Sequence, residues 1–273
     1  MDSQIIAVYC VCDDLLKALG HVDHPQRDMT DAEVMTTAIV AALYYGGNFE
    51  PARELLAEQG YIPQMLSKGR FNRRLHALAD AVWGVFGLLG EVWKDLNTQS
   101  VYIIDSFPIP ACDNIRIRRS RRYRGEDWRG KQASKHRYFY GLKLHLLVTP
   151  DGRPVEFFLT QGEVNDVRAL KMYAFEVPEG AWITADKAYT DYDIEDVLEA
   201  AGRQLSPLRK KNSLRPKPPW VRYMQETYRK MIETTGSRIE RLLPKHIHSV
   251  TARGFELKVA LFVLATSCSF LDK

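Results

Sequence analysis

Hydrophobic residues in the first 97 positions recur almost throughout at the spacing of amphipathic α-helices. The segment from Thr30 to Gly47, TDAEVMTTAIVAALYYGG, places Glu33 three residues after Thr30, which is the capping-box spacing of a helix start. It closes at Gly46 and Gly47, residues typical of a helix end. The pattern predicts an all-α N-terminal domain over residues 1–97.

The pattern changes at residue 101, where VYIID is a continuous apolar run that ends in an acid. Such a run is typical of a strand buried on both faces, with Asp105 at its carboxyl end. The β-rich segments 138–149 and 154–160 are separated by the turn sequence PDGR, which favours a hairpin. We therefore expect three strands between residues 101 and 160.

The later elements alternate between helical and extended patterns. They are predicted at 165–175 (helix), 181–186 (strand), 191–202 (helix), 204–208 (strand), 221–243 (helix) and 252–271 (helix). The order β-β-β-α-β-α-β, followed by C-terminal helices, predicts an α/β domain over residues 98–273 with five strands.

Composition limits the function only loosely. A chain of 273 residues with 45% hydrophobic content can bury a sizeable core. Its net charge of +4 is compatible with a nucleic-acid partner but does not require one. The apolar stretch 256–271 carries Glu256 and Lys258 and is shorter than the ~20 residues of a membrane span, so we expect a buried helix and no membrane partner.

The cysteines indicate the cellular compartment. Only four are present, at irregular spacing, so a disulfide framework is not expected and a reducing cytoplasm is the simpler location. Cys10, Cys12, His21 and His24 fit a zinc site poorly, because a single residue separates the two cysteines within a helical pattern. Ordinary helix residues are the favoured interpretation.

Candidate chemistry appears at two aspartates that end apolar strands, Asp105 in IIDS and Asp186 in ITADKAY. Either one alone is compatible with a strand-terminating or helix-capping residue. If the two strands are parallel neighbours, however, their carboxylates converge and repel one another unless a cation lies between them. Oxygen ligands of this kind suit Mg²⁺ or Mn²⁺, and a pair of such ions supports phosphoryl transfer.

A third carboxylate is expected from a later element. Glu233 and Glu240 are seven residues apart in the predicted helix 221–243 and lie on one face of it. The spacing alone leaves both open.

The strand order, IIDS, ITADKAY and RKMIE together resemble a bacterial insertion-sequence transposase of the Asp-Asp-Glu (DDE) type, with an RNase H-like core, and the similarity covers about residues 30–270. In that family an arginine stands four residues before the glutamate, as Arg229 does before Glu233. The resemblance implies an RNase H-like mixed five-stranded sheet and a catalytic and metal-binding set formed by Asp105, Asp186 and Glu233. It also implies Mg²⁺ or Mn²⁺ as cofactor, with two ions per active site.

The match to the family pattern is incomplete. A tyrosine is expected three residues before the arginine and a lysine seven residues after the glutamate, whereas Glu226 and Glu240 occupy those positions. Tyr228 and nearby basic residues are candidates to replace them.

Basic segments predict contacts with DNA. Residues 115–137 hold ten lysines and arginines against two acids, with Tyr123 and Trp128 interleaved, and such density favours a polyanion over a merely solvated loop. Residues 67–78 read as a basic amphipathic helix that can act as a recognition helix, and 209–217 form another basic run. The predicted DNA contacts are Arg229, Lys187, Arg118, Arg119, Arg121, Arg122, Arg124, Lys68, Arg70, Arg73 and Arg74.

The resemblance implies a transposase that binds terminal inverted repeats, cleaves at the element ends and joins the freed 3′-hydroxyl to target DNA. Its expected partners are double-stranded DNA and a second copy of the chain in a synaptic complex, without a nucleotide cofactor, in the bacterial cytoplasm and at the nucleoid when acting. Two alternatives stay open: an RNase H-like nuclease that never joins, and a domesticated protein that only binds DNA.

Overall fold

The computed structural model describes residues 1–132 and 137–271, apart from the side chains of 114 and 115. The helices are α1 Asp2–Ala18, α2 Asp31–Tyr44, α3 Phe49–Glu58, α4 Lys68–Ala77, α5 Ala79–Asp95, α6 Asp166–Met172, α7 Tyr192–Ala200, α8 Pro219–Leu242 and α9 Ala252–Cys268. The strands are β1 Val101–Pro110, β2 Arg129–Gln132, β3 Arg137–Val148, β4 Pro154–Gln161, β5 Trp182–Ala185 and β6 Gln204–Pro207. Two compact units result, Met1–Gly90 with Arg238–Lys273, and Glu91–Ser237.

The helical unit has α2 and α9 at its centre. Helix α2 begins at the predicted capping box: the Thr30 hydroxyl accepts from the Glu33 N–H at 3.1 Å, and the Glu33 carboxylate accepts from the Thr30 N–H at 2.6 Å. Both helices are buried along most of their length. A helix that is apolar on nearly all sides needs neighbours all round, and these two pack against each other.

This packing divides the chain differently from the predicted boundary at residues 97–98. Residues 238–273, expected to belong with the catalytic domain, cluster with the N-terminal helices instead. The reason is the apolar surface of α9, from Phe255 to Cys268, which is covered by α2. The periodicity of α9 predicted a buried helix but not the helix that would cover it.

In the described part of the chain, no single helix is both long and apolar enough to cross a membrane. Helices α4 and α5 meet that length and composition only as a pair, and the chain bends by 59° between them.

The second unit is built on a six-stranded mixed sheet. Its order is β2-β3-β1-β5-β6, with β4 paired to β3. The β1–β3 and β3–β4 pairs are antiparallel, whereas β5 runs parallel to both β1 and β6. The five predicted strands and the RNase H-like order are confirmed. Strand β2 is a sixth, within the segment predicted as a basic loop, and it pairs antiparallel with the start of β3.

Helix α8 crosses one face of this sheet. Near its start the Gln225 side chain donates to the Ser206 carbonyl on β6 at 2.5 Å. Near its end the Thr235 hydroxyl donates at 2.8 Å to the carbonyl of Gly152, in the turn between β3 and β4. Ile232 is buried between these anchors. The middle of α8, which carries Arg229 and Glu233, is thereby held beside the central strands.

Candidate active site

Parallel pairing of β1 and β5 brings the two predicted aspartates together. The register ends at Ile104 opposite Ala185, so Asp105 and Asp186 are the next residues on neighbouring strands. Both line one cavity together with Arg229. This confirms the predicted side-by-side placement of the two strands.

One detail of the prediction is wrong: Asp105 does not end its strand. Strand β1 continues to Pro110, because β3 goes on pairing with it from Asp105 opposite Leu146 to Pro110 opposite Gly141. Only the parallel partner stops, since β5 ends at Ala185. Asp105 therefore lies where β1 loses its neighbour on one side, which opens its carboxylate toward α8.

Arg229 connects the other two acids. Its Nη1 lies 3.3 Å from Asp186 Oδ1, and its Nε lies 3.0 Å from Glu233 Oε1. Glu240 is seven residues further along α8, which is about 10 Å along the helix axis. Among the two glutamates that the spacing left open, Glu233 is the one that shares a cation with Asp186.

The pKa of Asp105 is raised mainly by burial and further by neighbouring acids. Burial is the largest cause that raises its pKa, to about 6, and the charges of Asp186 and Asp166 raise it further. The Ser106 N–H, which donates to Asp105 Oδ1 at 2.8 Å, and the charge of Arg229 act in the opposite direction. Several carboxylates held this close favour a bound cation, and all-oxygen ligands suit a hard divalent ion. The donor set therefore fits Mg²⁺ or Mn²⁺.

Two polar residues at this site were missed by the sequence reasoning, Ser106 and Asp166. The Ser106 hydroxyl donates to Asp166 Oδ1 at 2.7 Å, and Lys143 Nζ lies 3.5 Å from the same oxygen. Asp166 follows Asn165 at the start of α6, where an acid is ordinary in a first helical turn. Only the position of Ser106 directly after Asp105 offered a signal, and a weak one.

His145 was predicted to be a packed strand residue, and the structure agrees. It is fully buried, its Nδ1 is 3.2 Å from the Tyr189 hydroxyl, and its Nε2 is 3.1 Å from the Thr160 hydroxyl. Burial, with a smaller effect of Lys143, lowers the pKa of His145 to about 3, so the ring is neutral.

Tyr228 stands away from the carboxylates. Its ring lies 6.0 Å from that of Trp182, and its hydroxyl is 3.4 Å from Gln99 Oε1. Trp182 is four residues before Asp186, about 13 Å along an extended strand. Glu226, at the family's tyrosine position, pairs with Arg222 at 2.9 Å.

Residues 115–132 of the basic segment form regular structure and internal contacts. Residues 114–119 form a 3-10 helix, and the Tyr123 ring is buried 4.3 Å from that of Trp128. The Tyr140 hydroxyl donates to the carbonyls of Tyr123 and Gly125. Residues 133–136 of the segment lie outside the described residues.

The predicted arginine contacts in this segment divide into two groups. Arg122 is half-buried and donates to the Ala111 carbonyl, so its guanidinium supports the segment from inside. The others are exposed, as a DNA contact requires: Arg118, Arg119, Arg121 and Arg124. Lys187, directly after Asp186, is exposed as well.

The basic residues of helix α4 also divide into an exposed group and an internally paired one. Lys68, Arg70 and Arg73 are exposed, whereas Arg74 pairs with the buried carboxylate of Asp31 at the start of α2. The His21 Nε2 lies 2.8 Å from the other oxygen of Asp31. Arg74 therefore fastens α4 to α2.

The basic run 209–217 is largely occupied by internal contacts. Arg209 pairs with Glu195 at 2.5 Å, Arg215 pairs with Asp196 at 2.5 Å, and Lys217 donates to the Ser206 hydroxyl at 2.6 Å. Lys210 and Lys211 are exposed.

The acids lie where the parallel pairing of β1 and β5 ends, on a sheet of RNase H-like order. The model of the transposase DDE domain family matches residues 96–268, more than half of the chain. The chain therefore belongs to the DDE transposase family.

The cryo-EM structure of the piggyBac transposase synaptic complex with hairpin DNA is similar to this chain. The identity is 10% and the TM-score is 0.45, over 98% of this chain and 72% of that chain. No curated protein matches this chain.

Proposed function

We propose that this protein is the DNA transposase of an insertion sequence: it binds terminal inverted repeats, cleaves at the element ends and joins the 3′-hydroxyl to target DNA. The observation that carries the proposal is the shared contact of Arg229 with Asp186 and Glu233, beside Asp105 on the neighbouring strand. Membership of the DDE transposase family supports DNA as the substrate.

Asp105, Asp186 and Glu233 would hold the divalent ions, Mg²⁺ or Mn²⁺, two per site. The chemistry that such ions supply is activation of the attacking oxygen and stabilisation of the leaving oxygen. Asp105 and Asp186 are half-buried and fix the site to the sheet, whereas the Glu233 side chain is 54% exposed and sits at the entrance.

Arg229 has a second role in this proposal. Its planar guanidinium matches phosphate as well as carboxylate and forms bidentate contacts with either. A DNA phosphate entering the site competes with Asp186 and Glu233 for these donors. Arg229 would then orient the phosphate beside the carboxylates.

The proposed DNA surfaces use the basic residues that remain exposed. They are Arg118, Arg119, Arg121, Arg124, Lys187, Lys68, Arg70 and Arg73. Contacts to the backbone position a duplex without reading its sequence, and their affinity falls with salt. Sequence recognition is assigned to the helical N-terminal region, and a homodimer in the bacterial cytoplasm would bring the two element ends together.

The test is Mg²⁺-dependent cleavage and joining on oligonucleotides that carry the ends of the flanking element. Wild type is compared with Asp105→Ala, Asp186→Ala and Glu233→Ala, with Glu240→Ala as a matched control on the same helix. We expect the three site variants to bind DNA but neither cut nor join, and the control to remain active. Cleavage without joining by the wild type would indicate a nuclease, and binding alone would indicate a DNA-binding protein.

A further inference from the structure

Ser106 links two aspartates that are far apart in sequence. Its backbone N–H donates to Asp105 Oδ1 at 2.8 Å, and its hydroxyl donates to Asp166 Oδ1 at 2.7 Å. One residue of β1 therefore joins the buried carboxylate of the site to an acid at the start of α6. Asp166 is a further carboxylate of this region, beside the three proposed metal ligands.

The Asp166 carboxylate is not occupied by capping its own helix. That role belongs to Asn165, whose Oδ1 accepts from the Arg168 N–H at 2.8 Å. The Asp166 side chain is 18% exposed, and its nearest cation is Lys143, at 3.5 Å. Lys143 is itself directed to the Val164 carbonyl at 2.7 Å. The partners of the Asp166 carboxylate are therefore the Ser106 hydroxyl and the Lys143 ammonium.

Buried polar side chains lie next to Ser106. Its side chain interacts with that of Tyr189, whose hydroxyl lies 3.2 Å from His145 Nδ1. The His145 Nε2 contacts the Thr160 hydroxyl in turn. Tyr189, His145 and Thr160 are all buried. The Ser106 hydroxyl donates its single proton to Asp166, and this bond defines its direction. Ser106 thus contacts Asp105 through its backbone N–H and Asp166 through its hydroxyl.

We propose that Asp166 is a positioning residue for the metal site. Through Ser106 it orients Asp105, and its negative charge beside Asp105 and Asp186 raises the affinity of the site for divalent cations. Asp166 is not itself assigned as a ligand. The proposal rests on the proposed function, because it presupposes that Asp105, Asp186 and Glu233 bind metal.

The experiment measures Mn²⁺ affinity of the full chain without DNA, by titration calorimetry or by the electron paramagnetic resonance signal of free Mn²⁺. The variant Asp166→Asn keeps an acceptor for Ser106 and removes the charge, whereas Ser106→Ala removes the link and keeps the charge. Asp193→Asn is the matched control, since Asp193 is an exposed acid in the first turn of α7. Asp105→Ala tests whether Mn²⁺ binds at the proposed metal site.

We expect Asp166→Asn to weaken Mn²⁺ binding by about tenfold, the effect typical of residues that support metal ligands. Ser106→Ala should weaken it by several-fold and Asp193→Asn by less than twofold. Equal affinities for all three variants and wild type would overturn the proposal. If Asp166→Asn weakens Mn²⁺ binding while Ser106→Ala keeps the wild-type affinity, the positioning of Asp105 through Ser106 is overturned.

Two further readouts keep these outcomes distinct. Circular dichroism and the thermal midpoint identify a variant that fails to fold, and if Asp166→Asn does so, Ser106→Ala decides the proposal. If Asp105→Ala binds Mn²⁺ as tightly as wild type, the metal site of the proposed function fails. If Asp105→Ala loses binding while the Asp166 and Ser106 variants keep it, only the positioning role fails.

Discussion

The Arg229 guanidinium lies 3.3 Å from the Asp186 carboxylate, although the two residues are 43 positions apart in the chain. The same guanidinium reaches Glu233 one helical turn later, at 3.0 Å. Arg229 thus occupies the space between carboxylates that metal ions would otherwise share. We therefore expect its removal to act in opposite directions on metal binding and on DNA cleavage.

We predict that Arg229→Ala binds Mn²⁺ at least as tightly as wild type, because a competing cation leaves the carboxylates. Cleavage at saturating Mn²⁺ should fall by about a hundredfold, since the variant has no donors to orient the phosphate. Single-turnover cleavage together with Mn²⁺ titration measures both effects. Arg222→Ala is the control, because Arg222 forms the same type of pair with Glu226 on the same helix. Parallel losses of metal affinity and cleavage in Arg229→Ala would contradict this prediction.

The raised pKa of Asp105, about 6, makes the metal-free protein sensitive to pH. Because the folded pKa exceeds the unfolded value, the unfolded state binds fewer protons between about pH 4 and pH 6, and the stability contribution of Asp105 falls as the pH rises through this window. The ionised group then costs about 3 kcal/mol at neutral pH.

We therefore predict that Asp105→Asn is more stable than wild type at pH 7.5 without metal, by up to about 3 kcal/mol, and that the difference vanishes near pH 4. Urea unfolding at both pH values measures it. Addition of Mg²⁺ should stabilise the wild type but not the variant. A difference in stability that is independent of pH would argue against a raised pKa at Asp105.

The exposed arginines of the basic segment should control the salt dependence of DNA binding. Replacement of Arg118, Arg119, Arg121 or Arg124 by glutamine is expected to reduce the slope of log K against log salt by about 0.9 for each phosphate that the variant no longer neutralises. Arg122→Gln provides the contrast, because its guanidinium bonds to the Ala111 carbonyl and its removal should lower the thermal midpoint instead. Titrations at several salt concentrations distinguish the two groups; an unchanged slope in all the exposed variants would remove this segment from the DNA surface.

Two neighbouring arginines of α4 are predicted to behave differently. Arg74→Gln breaks the pair with Asp31, a carboxylate only 6% exposed, and should lower the free energy of unfolding by about 2 kcal/mol. Arg73→Gln should leave stability unchanged and weaken DNA binding, since Arg73 is exposed. Urea unfolding and gel-shift titration of both variants test this division. If Arg74→Gln is as stable as wild type, the pair with Asp31 does not contribute to the free energy of unfolding.

The local sequence patterns predicted most of the helices and strands. Apolar runs and their period predicted the five main strands and the helices, because burial on one or both faces imposes that period on the sequence. They missed β2, since RGKQ is polar and forms a strand only through its pairing with β3. They also misjudged the end of β1, because a strand continues wherever a neighbour pairs with it and not only where side chains are apolar.

The residues of the candidate site were likewise predicted only in part from the sequence. Asp105 and Asp186 were visible because an acid at the end of an apolar run is unusual, and the resemblance selected Glu233 through Arg229. Asp166 and Ser106 were invisible, since an acid in a first helical turn and a serine in a strand are both ordinary. The structure joins them by a 2.7 Å hydrogen bond across 60 residues of chain.

The sequence by itself determined the kinds of element, their order and the strand-borne acids, because these depend on periodicity and on residue type. Only the tertiary structure decided which acids converge, that Arg229 bridges two of them, that Arg74 and Arg122 bond internally, and that α9 packs on α2. Such contacts join residues far apart in the chain. They depend on how the elements pack and on which partner a charge finds, and neither is encoded in a local pattern.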